Sequence, residues 1–142
     1  MTIRTVLYQS TAKTDFPSRA DHDILETAWR HNGEMGVTGY LLRTRTQYFQ
    51  VLEGADDVLD DLLGMIRKDP RHSDMQILCD HVVNERCFAN WAMGYQLVTE
   101  AERDEFDGWL KEGDDFARSM IGYMQLMAER TEAVSPMHPG MK

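Results

Sequence analysis

Cysteine is nearly missing from this chain: Cys79 and Cys87 are the two in 142 residues, and they form no paired zinc or redox motif. A disulfide framework is thereby excluded, and a reducing, cytoplasmic setting is expected. Histidine is sparse as well, with five residues and no pair at helical metal-ligand spacing, so no metal site is expected. Basic charge is in deficit: 15 Lys and Arg against 24 Asp and Glu leave a net charge of −9. Such a surface repels phosphate backbones and anionic lipid, which argues against nucleic-acid and membrane partners but leaves a basic protein partner open. No apolar run approaches the roughly 18 residues of a membrane span. The start, Met1-Thr2-Ile3-Arg4, leads into a strand and not a signal peptide. Internal repeats are absent.

What is present is an ordinary globular composition, 42% hydrophobic, in a length suited to one core. Alternation predicts strands over Thr2 to Ser10, Val37 to Arg43, Gln47 to Gly54, Met75 to Val83 and Trp91 to Val98. Helical spacing of Ile24, Leu25, Ala28 and Trp29 predicts a helix to about Asn32, with Ser18 and Asp21 as a weak capping box and Gly33 and Gly36 at its end. Val58, Leu59, Leu62, Leu63 and Ile66 make a second stripe, begun by Asp56 and Asp57 and stopped by Pro70. The order β-α-β-β-α-β-β matches an α+β, ferredoxin-like sandwich, an antiparallel sheet with two helices on one face. Two further helices, one from Thr99 through Trp109 and Leu110 and one carrying Phe116, Met120, Tyr123, Met124 and Met127, would cap the other sheet face or pair with another subunit. The expected division is a domain over 1–98, a helical cap over 99–130 and a disordered tail over 131–142.

The most informative stretch is Gln47-Tyr48-Phe49-Gln50-Val51-Leu52-Glu53-Gly54. Tyr48, Gln50 and Leu52 share one face, so Gln50 is an amide between two large apolar neighbours. A buried amide needs partners for two donors and an acceptor. A core glutamine tied to nearby backbone satisfies that as well as a ligand does.

Five segments occur in order: Leu7-Tyr8-Gln9-Ser10; His31-Asn32 before Gly36-Val37-Thr38-Gly39; Phe49-Gln50-Val51-Leu52-Glu53-Gly54; Asp69-Pro70-Arg71-His72; and Phe88-Ala89-Asn90-Trp91-Ala92-Met93-Gly94. In this order and spacing, residues 2–98 resemble a BLUF domain, a blue-light sensor that uses a flavin. The resemblance implies FAD held between the two helices with its ring facing the sheet. Tyr8 and Gln50 then match the photoactive pair, and Trp91 and Met93 its conformational readout. Asn32 would hydrogen-bond the ring, His31, Asp69, Arg71 and His72 would be further polar contacts, and Ile24 and Ile66 would line the ring. Met65 stands where relatives often carry a basic or imidazole side chain near the flavin tail, so FMN or riboflavin could compete, unless Arg67 or Lys68 compensates. The implied function is a photoreceptor and not an enzyme, with a light-driven hydrogen-bond rearrangement. Its output would pass through the strand that carries Trp91 and Met93 to the helices after Thr99. A homodimer or higher homo-oligomer and a separate downstream protein partner are expected.

Taken singly, each of these residues also suits a plain structural role: Tyr8 a half-buried strand aromatic, Asn32 a helix C-cap, His72 a surface histidine, Trp91 core. The competing functions are a small acylphosphatase-like enzyme, for which Leu7-Tyr8-Gln9-Ser10 offers no glycine-rich anion cradle, and a flavin redox protein or ligand-free interaction module on the same fold.

Overall fold

The computed structural model describes residues 2–14, 19–98, 101–102, 104 and 116–134. Its elements are β1 (Ile3–Ala12), α1 (Arg19–Met35), β2 (Thr38–Arg43), β3 (Gln47–Gly54), α2 (Asp56–Lys68), β4 (His72–Val83), β5 (Gly94–Leu97) and α3 (Phe116–Val134). The five strands form one sheet in the order β4-β1-β3-β2-β5.

The order of elements is the one expected, but four local features differ. The sheet is mixed, because β5 runs parallel to β2. β4 ends at the edge where Val83 pairs with Ile3, the same end of the sheet at which β2 starts opposite Glu53. The connection stays at that end while it crosses to the other edge, so the strand it feeds must run away from it, as β2 does. Buried Glu53 anchors this connection by accepting the backbone N–H groups of Cys87 at 2.5 Å and Phe88 at 3.0 Å. Arg86 adds bonds to the Gly36 carbonyl at 2.7 Å and the Glu53 carbonyl at 3.0 Å.

Secondly, Gly33 lies inside α1, which runs on to Met35; Gly36 ends it, at φ +70°, a conformation that costs glycine nothing. Asn32 is 3% exposed and donates to the Ala92 carbonyl at 3.0 Å, so it ties α1 to a distant segment instead of capping the helix. Thirdly, β4 begins at His72 and contains two register irregularities, with Asp74 at φ 55° beside one of them. Fourthly, Trp91, Ala92 and Met93 precede β5, which is only the four residues Gly94–Leu97. Gly94 is dictated by contact: a Cβ there would stand 2.3 Å from the Tyr40 ring.

Alternation along β1 and β3 divides the core in two. Val6, Tyr8, Tyr48 and Leu52 face α1 and α2, with Leu25, Leu59 and Leu63 above them. Leu7, Phe49 and Val51 face α3, whose Phe116, Met120, Met124 and Met127 recur every three to four residues and cover the second sheet face. One helix thus covers that face, and it continues to Val134, past the point where the tail was expected to start. The first of the two expected cap helices, apart from Ala101, Glu102 and Asp104, and the tail beyond Val134 lie outside the described residues, as does Ser18.

Candidate functional site: a cleft between two helices and the sheet

Two helices laid on one sheet face leave a cleft between them. α1 contributes Ile24, Thr27, Ala28, His31 and Asn32, a single helical stripe, and α2 contributes Leu62, Met65 and Ile66. The floor is Tyr8, Leu41, Tyr48, Gln50 and Leu52, and one end is closed by Asp69, Arg71 and His72. The cleft encloses about 780 Å³, open solvent at its mouth included.

Tyr8 and Gln50 are direct cross-strand partners in the antiparallel β1–β3 pair, which puts both side chains on the cleft face. The Tyr8 hydroxyl donates to Gln50 Oε1, and Gln50 Nε2 donates to Met93 Sδ at 3.3 Å. Burial pushes the Tyr8 phenol well above its ordinary pKa, and the nearby Asp69 charge and the Tyr48 hydroxyl add to this. Tyr8 is therefore a proton-bearing donor at neutral pH. Asn32 and Gln50 each spend one amide hydrogen on protein, on Ala92 O and Met93 Sδ respectively, and each amide nitrogen has a second.

At the closed end the Asp69 carboxylate accepts Arg71 N–H at 2.9 Å, Nε at 2.9 Å and Nη2 at 2.6 Å. Burial works to raise the Asp69 pKa, but these bonds to Arg71 outweigh it and hold the carboxyl below its ordinary value. His72 is 9% exposed, not a surface histidine, and its Nε2 donates to the Ile66 carbonyl at 2.6 Å.

Every residue singled out as a flavin contact lines the cleft: Ile24, His31, Asn32, Ile66, Asp69, Arg71 and His72, with Tyr8 and Gln50 as floor. Met93 joins them through Gln50. Trp91 does not. It sits on the opposite sheet face, 4% exposed and edge-on to Tyr40 at 6.2 Å, within the core that α3 covers. Sequence reasoning missed Thr27, Ala28, Leu62 and Tyr48 as lining residues, although helical spacing from Ile24 and strand alternation from Gln50 point to them. Nor did it foresee the distant partners of Asp21. That carboxylate is 4% exposed and accepts the hydroxyls of Tyr48 at 2.7 Å and Tyr95 at 2.9 Å. No local pattern announces such partners. Met65, 63% exposed, lies at the cleft's rim.

A slot with aliphatic walls contributed by two helices, amides and a phenol on its floor and charge at one end suits a planar heteroaromatic ring with a polar rim. The donor set therefore fits a flavin: Ile24 and Ile66 would flank it, and Gln50 and Asn32 would offer N–H groups to its edge. This is the class of a flavin-binding α+β sensor domain. Residues 3–94 match the family model BLUF, sensors of blue light using FAD, and the chain belongs to that family. FAD is the chromophore of its members.

Relatives include the photoactivated adenylate cyclase subunit alpha of Euglena gracilis, 32% identical over 93 residues, which are 64% of this chain and 9% of that protein. The blue light- and temperature-regulated antirepressor BluF of Escherichia coli is 32% identical over 104 residues, 72% of this chain and 26% of that protein. The chain thus spans about a tenth to a quarter of the length of these curated relatives. Among solved structures, the photo-activated state of BlsA has a TM-score of 0.74 at 25% identity, covering 88% of this chain and 95% of that one. The dark-state BLUF protein BlrB reaches a TM-score of 0.76 at 21% identity, covering 88% and 96%, a likeness of fold. The acylphosphatase-like alternative is not favoured by any of these matches. No helix among the described residues is long and apolar enough to cross a membrane.

Proposed function

We propose that this blue-light sensor signals by exchanging hydrogen bonds along the chain Tyr8–Gln50–Met93, and that it has no catalytic activity of its own. The observation that carries this is the chain itself: phenol to amide oxygen, amide nitrogen to thioether, all on the cleft floor. Bound flavin supplies absorption of blue light and a reversible electron acceptor at this position. Burial keeps the proton on the Tyr8 hydroxyl, and the bond to Gln50 Oε1 aims that proton at the amide. Gln50 offers an acceptor to Tyr8 and donors to Met93 and to the ligand edge. Rotation or tautomerisation of its amide interchanges those roles, and the new pattern outlasts the event that caused it.

Met93 is the point where this local change leaves the cleft. A thioether is a weak acceptor, so its bond to Gln50 is the easiest of the chain to lose. Trp91, two residues before it, is packed on the opposite face against the α3 core. A shift of residues 91–93 would therefore be felt by α3. Output is through contact with another protein or a change of homo-oligomer, in the cytoplasm, with FAD preferred over FMN. The relatives, named for a cyclase and an antirepressor, support a sensor unit that is read out by something else. In domain terms, 1–98 senses and 99–130 transmits.

The deciding experiment is a visible absorption spectrum of purified protein in darkness and under blue light. Flavin bands that shift red and relax in the dark are expected. Bound flavin without a reversible shift would overturn the hydrogen-bond mechanism, and protein that stays colourless after reconstitution would overturn the photoreceptor.

A further inference from the structure

Asp21 is a buried carboxylate in the first turn of α1, well away from the Tyr8–Gln50 pair in the chain. Burying a carboxylate is costly unless it is paired and hydrogen-bonded, and here the pairing joins four elements. Tyr48 of β3 donates to Oδ1 at 2.7 Å, and Tyr95 of β5 donates to Oδ2 at 2.9 Å. Arg43, at the end of β2 and fully buried, lies 3.3 Å from Oδ2 through Nε. Its guanidinium also stacks 4.6 Å over the Tyr48 ring and donates to the Thr14 carbonyl.

Two of these partners sit in telling places. Tyr48 is on the cleft floor two residues before Gln50, and Tyr95 is two residues after Met93. The same two stretches of chain are therefore linked twice: once by Gln50 to the Met93 sulfur, once by Tyr48 through Asp21 to Tyr95. The links differ in strength. A neutral amide on a thioether is weak, whereas a hydroxyl on a carboxylate is charge-assisted and roughly twice as strong as a neutral bond. Burial, and then the bond to Asp21, push both phenols above their ordinary pKa, so both remain donors across the neutral range. β5 itself is a short edge strand held to β2 over Gly94–Leu97, and the Tyr95 tie to Asp21 supports that short ladder from one side as Trp29 on the Met93 carbonyl and Asn32 on the Ala92 carbonyl do just before it.

We infer that Asp21 and Tyr95 are positioning residues that set the lifetime of the light-induced state, by holding β5 in register while the Gln50–Met93 bond is broken. The tie keeps Met93 beside the cleft, so the dark arrangement re-forms quickly once Gln50 returns. The inference rests on the reading that light acts on the Gln50 bond.

The test is Tyr95→Phe in the full chain loaded with FAD. This variant removes one hydroxyl, keeps the ring and changes none of the residues that line the cleft. The dark spectrum and the size of the light shift should match the unaltered protein, while return to darkness slows about three-fold or more, as loss of one hydrogen bond implies. Amide exchange over Gly94–Leu97 should rise in the dark. Asp21→Asn, which keeps an acceptor oxygen but not the charge, should slow the return less than Asp21→Ala. A normal light shift with an unchanged or faster return in Tyr95→Phe overturns the inference and leaves the Tyr8–Gln50 mechanism standing. An unaltered protein that binds flavin but shows no shift overturns both.

Discussion

The two faces of this sheet are built by the same strands and do opposite things. On the α3 side, Leu7, Phe49 and Val51 pack with Phe116, Met120 and Met124 in one buried cluster, and the Phe49 and Phe116 rings lie 6.1 Å apart. On the other side, Tyr8, Tyr48, Gln50 and Leu52 meet two helices that stay apart and leave a cleft. The difference lies in how the helices are fastened. α3 is seated by its apolar stripe in the core cluster, with a bond from the Tyr123 hydroxyl to Glu102, and such a stripe closes until it packs. α1 is pinned near its start by Asp21 to Tyr48 and Tyr95 and near its end by Trp29 Nε1 on the Met93 carbonyl at 2.8 Å and Asn32 on Ala92. α2 is seated by Leu59 and Leu63 and by Arg4 of β1, which bonds Asp56 at 3.0 Å and Asp60 at 2.5 Å. Directional bonds at their ends keep these helices from sliding together over the cleft. A face that must admit a ligand is held by hydrogen bonds; a face that needs only to be covered is held by volume.

The contrast can be broken by moving a defect from one face to the other. Gln50→Leu keeps the shape of the floor but removes both links of the chain, so flavin should remain bound while the light-induced red shift disappears entirely. Survival of a normal shift in its absorption spectrum would remove Gln50 from the mechanism.

Met120→Ala places the defect on the α3 face instead. Truncating a fully buried methionine should lower stability by about 2–5 kcal/mol, measured by denaturant unfolding, with the dark flavin spectrum unchanged. A shifted dark spectrum in that variant would mean that the two faces are not separately built.

The smallest effect concerns the closed end of the cleft. The folded-state pKa of Asp69 lies below its ordinary 3.8, so its contribution to stability is complete above that value and is lost as the pH falls through the lower folded value. Asp69→Asn should flatten that acid limb of the stability profile and cost roughly 1 kcal/mol or less near neutrality, since the pair is partly solvated. An unaltered acid limb would assign the dependence to other carboxylates.

Much of this was legible in the chain. The division of Tyr8 and Gln50 from Leu7, Phe49 and Val51 follows from a period of two, and the cleft-lining stripe Ile24, Ala28, His31 and Asn32 follows from helical spacing. The five ordered segments that resemble a BLUF domain then supplied the flavin, which no periodicity contains. What could not be read concerns partners distant in sequence. Asp21 reads as half of a weak capping box with Ser18, and nothing local points to its tyrosine partners, 27 and 74 residues away. Asn32 reads as a cap because asparagine tolerates a left-handed turn, yet Gly36 performs that task and frees the amide to reach Ala92, 60 residues on.

The sequence by itself determined which residues share a face and where helices begin to be possible, because these depend on spacing over a few residues, and its five ordered segments pointed by resemblance to the family. Only the tertiary structure decided the direction of β5, the placing of Met93 beside Gln50 with Trp91 on the far face, and the burial of Asp21 among two tyrosines and an arginine. Those outcomes depend on how the connection from β4 to β5 crosses the sheet and on the requirement that every buried polar group find a partner, and both are settled only when distant segments meet.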